Sequence, residues 1–165
     1  MQIPAEAFCS ITKMVTKKIY KPKSDDEFLE QLSFIRFVSG FRYSVVDSRW
    51  PLMRKAFHDF SVKKLAAATE KDVEKLLGAK GMIRNRGKIG DVIRNAKLCA
   101  GIAKEHGSVL KWIEKLKSDL KKEPLLSPHL NEEFRRFHGI GEMTSGWVEN
   151  LHMAKKDHVT YEVPG

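Results

Sequence analysis

Apolar residues recur along this chain at three- and four-residue intervals, the period of a helix with one buried face. Phe8, Ile11, Val15 and Ile19 predict a first helix near 5–20, with Lys13, Lys17 and Lys18 on its other face. Ser24 opens a second: Glu27 completes a capping-box pattern, and Asp25 and Asp26 suit the positive end of the helix dipole. Phe28, Leu32 and Ile35 form its stripe, and Gly40 stands as a C-terminal stop. A short third helix is expected over 43–48, and a fourth from Pro51, at its first position, through Phe57. Ser61 and Thr69 cap two short helices, 62–67 and 70–77, the second closed by Gly78. A long helix over 84–105 lines up Ile89, Val92, Ile93, Ala96, Ala100 and Ala103, with Gly87 and Gly90 weakening its start. Another helix spans 109–120, and a loop containing Pro124 and Pro128 spans 121–130. No sustained apolar–polar alternation signals a strand. The pattern predicts an all-α fold, a single domain over 1–165.

Charge narrows the partners. Lys and Arg number 30 against 21 Asp and Glu, a formal net charge of +9. A basic chain binds polyanions because each neutralised phosphate releases condensed counterions; a solvated basic surface is the plainer meaning of the same count. No apolar run approaches the ~20 residues of a membrane span, and no export signal is evident at the N-terminus. Cys9 and Cys99 stand far apart without a CxxC pairing, which suits reduced thiols in a cytosolic protein.

One segment carries chemistry. Over 131–154 a short helix meets His138-Gly139-Ile140-Gly141, and a second helix begins at Glu142. Two glycines allow a tight turn and close backbone approach to a ligand. The N–H groups that open the second helix favour an anion. A GxG between helices is by itself a common interhelical turn, but its neighbours add to it. The pattern Phe137-x-Gly139-Ile140-Gly141-x-x-Thr144-Ser145 resembles the helix–hairpin–helix element of the DNA glycosylase superfamily named for its hairpin and its Gly/Pro-rich loop ending in Asp.

That resemblance implies a hairpin that grips a DNA backbone phosphate through Gly139, Ile140, Gly141 and Thr144, a monovalent cation bound there, and no other cofactor; His138 is a candidate phosphate contact or simply the cap of a turn. It implies a two-lobed all-α fold around a cleft, and a catalytic carboxylate about twenty residues downstream. Glu162 stands 21 residues after Gly141, a Glu where the family has Asp. Some members carry a lysine nucleophile two residues after the last hairpin glycine; here that residue is Met143, which cannot form an imine, so lyase chemistry is not expected.

Residues 28–57 and 72–96 are similar to the bacterial DNA-3-methyladenine glycosylase I family, including the run from Gly81 to Gly90 and Ile93 to Ala96. The family's base-recognising Glu falls on Ile35 and its stacking Trp on Tyr43, and its zinc ligands have no counterpart, so no metal is expected. Tyr43, Trp50 and Ile35 are the candidates for the base pocket, with ordinary core packing the other meaning of an aromatic such as Trp50. Arg84, Arg86 and Lys88, with Arg94 and Lys97 beyond them, are candidate phosphate contacts or simply a solvated helix face. Trp112 and Trp147 are expected in the core. The whole reads as a monomeric, cytoplasmic and nucleoid-associated DNA glycosylase that removes an alkylated base from damaged double-stranded DNA. The alternatives are a catalytically inactive helix–hairpin–helix DNA-binding module and a helical protein-interaction domain.

Overall fold

The computed structural model describes residues 21–153. Among them are eight α-helices, one short 3-10 turn and no strand. The helix expected near 5–20 lies outside the described residues. Helix α1 (Asp25–Val38) starts as its sequence predicts: the Glu27 N–H donates to Ser24 Oγ at 3.2 Å. The return arm of the box lands one residue early, with the Lys23 N–H donating to Glu27 Oε2 at 2.6 Å.

The third and fourth helices of the sequence pattern are one, α2 (Tyr43–Ala56), which runs straight through Pro51. Proline there removes one N–H from the ladder. Trp50 and Met53, on either side of it, are both buried, and burying such side chains is worth about 1.5–3 kcal/mol each, which holds the helix together across the break. A turn over His58–Phe60 follows, with φ of 53°, 55° and 56° at three successive non-glycine residues. Left-handed backbone costs about 1–2 kcal/mol per residue. It is held by the stacked, fully buried rings of Phe57 and Phe60, and by the Val62 N–H bond to Asp26 Oδ1.

Helices α3 (Val62–Ala66) and α4 (Glu70–Leu77) open at the predicted caps, and Thr69 with Asp72 forms a complete capping box. Helix α5 (Arg86–His106) starts two residues later than expected, because Asn85 accepts the Lys88 N–H and caps it, leaving Arg84 in the loop. This helix is the central strut, packing on α1, α3, α4 and α6 (Val109–Lys122). The starts of α1 and α6 are tied together at Asp25, whose Oδ1 accepts from the Val109 N–H. Helices α7 (Leu130–Phe134) and α8 (Glu142–Met153) flank the hairpin.

One hydrophobic cluster runs from Phe28 on α1 to Leu151 on α8 and includes Trp112 and Trp147. Within it His152 is buried against the rings of Phe28 and Phe134, its Nε2 without a hydrogen-bond partner. Burial, and then the charges of Lys117 and Lys21, push its pKa down to about 3.

Candidate nucleic-acid interface

The hairpin is fixed to the body by one side chain. Asn95, buried on α5, accepts the His138 N–H at 2.7 Å and donates to the His138 carbonyl at 3.1 Å. Ile140 turns its side chain into the core, and its N–H donates to the Phe137 carbonyl. His138, Gly139, Gly141, Glu142 and Met143 are left exposed at the tip.

The two glycines do different work. Gly139 has φ of +76°, and a Cβ there would overlap the Nε and Cδ of Arg36. Its bare face therefore meets the protein, not an incoming ligand. Arg36 is held there by Asp91 Oδ2 at 2.7 Å, while Asp91 Oδ1 accepts from Arg94 at 2.6 Å. Burial raises the Asp91 pKa, but the bonds from Arg94 and Arg36 outweigh it and hold the carboxyl below its usual range. At Gly141 a Cβ would meet nothing within 4 Å, so this is where a ligand can approach the backbone. The Gly141 N–H is taken by Thr144 Oγ1 at 2.9 Å. The donors without an intrahelical acceptor are those of Glu142, Met143 and Thr144, in the first turn of α8. Glu142 puts a carboxylate at the same end, which must turn aside for an anion to be met by backbone alone.

The basic residues at the start of α5 lie in different environments. Arg86 donates to Glu70 and Glu74 on α4 and staples two helices together. Lys88 is not on an open face: it is buried, with Nζ donating to the Arg36 carbonyl at 2.8 Å above the Phe41 ring. Burial, and then the Arg36 charge, push its pKa down to about 8. Its ammonium also explains Gly40, where a Cβ would lie 2.8 Å from Nζ. Arg84 and Lys97 are exposed.

The aromatic candidates also separate. Ile35 is fully buried in the α1 core. Trp50 is 6% exposed, donates from Nε1 to Glu30 at 3.1 Å and stacks on Phe60, so it is a core residue. Tyr43, at the first position of α2, is half-buried, edge-on to Phe34, with its hydroxyl donating to Asp47 at 3.5 Å. Burial and the Asp47 charge push its pKa up to about 12, so it stays a neutral phenol. Glu162 lies outside the described residues. Among the described residues no cluster of three or more His, Cys, Asp or Glu could hold a metal, and no helix is long and apolar enough to cross a membrane. Sequence reasoning missed Asn95 and Arg36; their only signal is a polar residue set between apolar positions of a core-facing helix.

A helical body with a buried amide holding an exposed glycine hairpin defines a helix–hairpin–helix protein. The profile of the methyladenine glycosylase family matches residues 20–133, and the chain belongs to that family. The DNA-3-methyladenine glycosylase of Haemophilus influenzae is 32% identical over 78 residues, 47% of this chain and 42% of that protein. DNA-3-methyladenine glycosylase 1 of Escherichia coli is 36% identical over 77 residues, 46% of this chain and 41% of that protein. The chain thus spans about two-fifths of the length of the curated relatives it matches. A crystal structure of 3-methyladenine DNA glycosylase I superposes over 97% of this chain and 93% of that one, with a TM-score of 0.67 at 21% identity. A variant of such an enzyme in complex with 3-methyladenine superposes over 96% and 91%, with a TM-score of 0.65 at 12% identity. These likenesses establish an all-α glycosylase fold.

Proposed function

We propose that the chain is a monofunctional DNA glycosylase that hydrolyses the N-glycosidic bond of an alkylated, 3-methyladenine-type base in base-excision repair. It acts as a monomer on double-stranded DNA, in the cytoplasm on the nucleoid. The observation that carries this reading is the conjunction of family membership over 20–133 with a firmly docked, exposed hairpin directly after it.

The chemistry follows from the substrate. The base must leave the stack, at a cost of a few kcal/mol. The C1′–N bond then breaks through an oxocarbenium-like state: the base departs with the bonding electrons, and water adds at C1′. A carboxylate near C1′ stabilises the developing charge and takes the proton of the water; Glu162 is our assignment for that group. An alkylated base is already cationic, so it is a good leaving group, and the face of Tyr43 suits it by cation–π attraction. The tip from His138 to Gly141, with Thr144 behind it, takes a phosphate at the open side of Gly141, and Arg84 takes another.

The carbonyls of Phe137 and His138 each accept one internal bond and keep a second lone pair. They would hold a monovalent cation at the hairpin, which would supply positive charge toward the phosphate. Met143 excludes an imine at that position.

Replacing Glu162 with Gln is expected to lower single-turnover base release at least 100-fold with duplex affinity unchanged, and borohydride is expected to trap no covalent adduct. Full activity in the variant would remove Glu162 from the mechanism. The second reading, a DNA-binding module without catalysis, is favoured by Ile35, which puts a fully buried apolar side chain where the resemblance places the base-recognising Glu. That reading predicts binding without release in both proteins.

A further inference from the structure

Away from the hairpin, α2 and the α4–α5 loop enclose an open groove of about 680 Å³, lined by Arg49, Leu52, Lys80, Gly81, Met82 and Arg84 among others. Three of these side chains are cationic and no acid lines the groove. Arg49, Lys80 and Arg84 are exposed, and none of them is ion-paired among the described residues. The contrast with their neighbours is sharp. Arg86 is spent on Glu70 and Glu74, Arg94 on Asp91, Arg54 on Glu30 and Asp59, and Lys88 is buried. Arg49, Lys80 and Arg84 are left open to an anion.

The backbone builds it deliberately. Gly81 has φ of +79°, and a Cβ there would lie 2.6 Å from Leu52 Cδ1, so the loop sits directly on α2 and brings Lys80 and Arg84 beside Arg49. On α2, Arg49 and Leu52 fall on one stripe by helical spacing, and Arg42 is the N-cap of the same helix. That stripe leads from the groove back to the α1–α2 loop, where Gly40 and Phe41 meet Lys88. The start of α5 beside Arg84 and the hairpin's anchor at Asn95 are nine residues apart, about 14 Å along the helix axis.

We infer that Arg49, Lys80 and Arg84 form a second phosphate clamp, which takes duplex DNA backbone separately from the phosphate held by the hairpin. The inference rests on the DNA reading above and adds a site to it. Three charges without acids, on a concave wall, suit a row of phosphates. An acidic peptide would offer no fixed spacing to match.

The test is the salt dependence of binding to a methylated duplex. Arg49→Gln, Lys80→Gln and Arg84→Gln are combined in one variant. Lys104→Gln, Lys111→Gln and Lys122→Gln, at the other end of α5 and on α6, are combined in a control of equal charge. Each phosphate contact contributes about 0.9 to the slope of log K against log salt. The groove variant is expected to lose about two to three from that slope, and the control to keep it. Replacing phosphates singly with neutral methylphosphonates is expected to show two separate sensitive clusters for the wild type and one for the groove variant. Salt-dependent binding with equal slopes in both variants, or a single cluster in the wild type, would overturn the clamp and leave the DNA reading standing. A wild type without salt-dependent duplex binding would overturn both.

Discussion

Gly139 and Gly141 are two residues apart and look equivalent in the sequence, yet only one has a neighbour in its way. Gly139→Ala is expected to destabilise the protein by about 1–3 kcal/mol from its left-handed backbone alone, with the overlap on Arg36 added. Gly141→Ala has open space and should stay within about 1 kcal/mol of the parent. Denaturant titration of both separates them, and equal losses would mean that the hairpin faces the other way. His152 makes a second prediction. Its folded pKa of about 3 lies below the ordinary 6.5, so as pH falls the unfolded chain takes the proton first. Stability from this group is present above about pH 6.5 and lost between there and about 3, at up to about 1.4 kcal/mol per pH unit. His152→Phe removes the buried unpartnered nitrogen and should show a smaller drop in Tm between pH 7 and 5 than the parent. An equal drop would locate the acid sensitivity elsewhere.

The hairpin is an element only because α5 holds it. Asn95→Leu removes both bonds to His138, at about 1–3 kcal/mol for the unsatisfied pair. Hydrogen exchange at 138–141 should then accelerate well beyond that of α5. Exchange unchanged at the tip would show that packing at Ile140 alone suffices. At this scale the sequence was informative where the physics is local. Ser24, Ser61 and Thr69 were recognisable caps because a cap needs only the next three residues. Pro51 misled because the helix through it depends on Trp50 and Met53 finding a core, which no window around residue 51 contains. The start of α5 lies two residues beyond the one its apolar periodicity indicates, because Asn85 caps it.

Over the whole molecule, the net charge of +9 pointed to a polyanion but not to where it would lie. Arg86 and Lys88 looked like the natural contacts; their acidic and carbonyl partners come from helices 12 to 52 residues away, and only the fold reveals that they are already engaged. Tyr43 remains at the surface end of α2 while Ile35 and Trp50 went to the core, a division that helical periodicity alone could not make. The candidate base-contacting residues were therefore less legible than the hairpin, whose glycines and Thr144 announce it locally. The central claim, removal of an alkylated base from DNA, is tested most directly by incubating the protein with methylated duplex DNA and identifying every released base by chromatography. The account predicts free 3-methyladenine, released at a rate proportional to enzyme and without strand cleavage. Tight, salt-sensitive binding with no base released would contradict it and leave a DNA-binding module in its place.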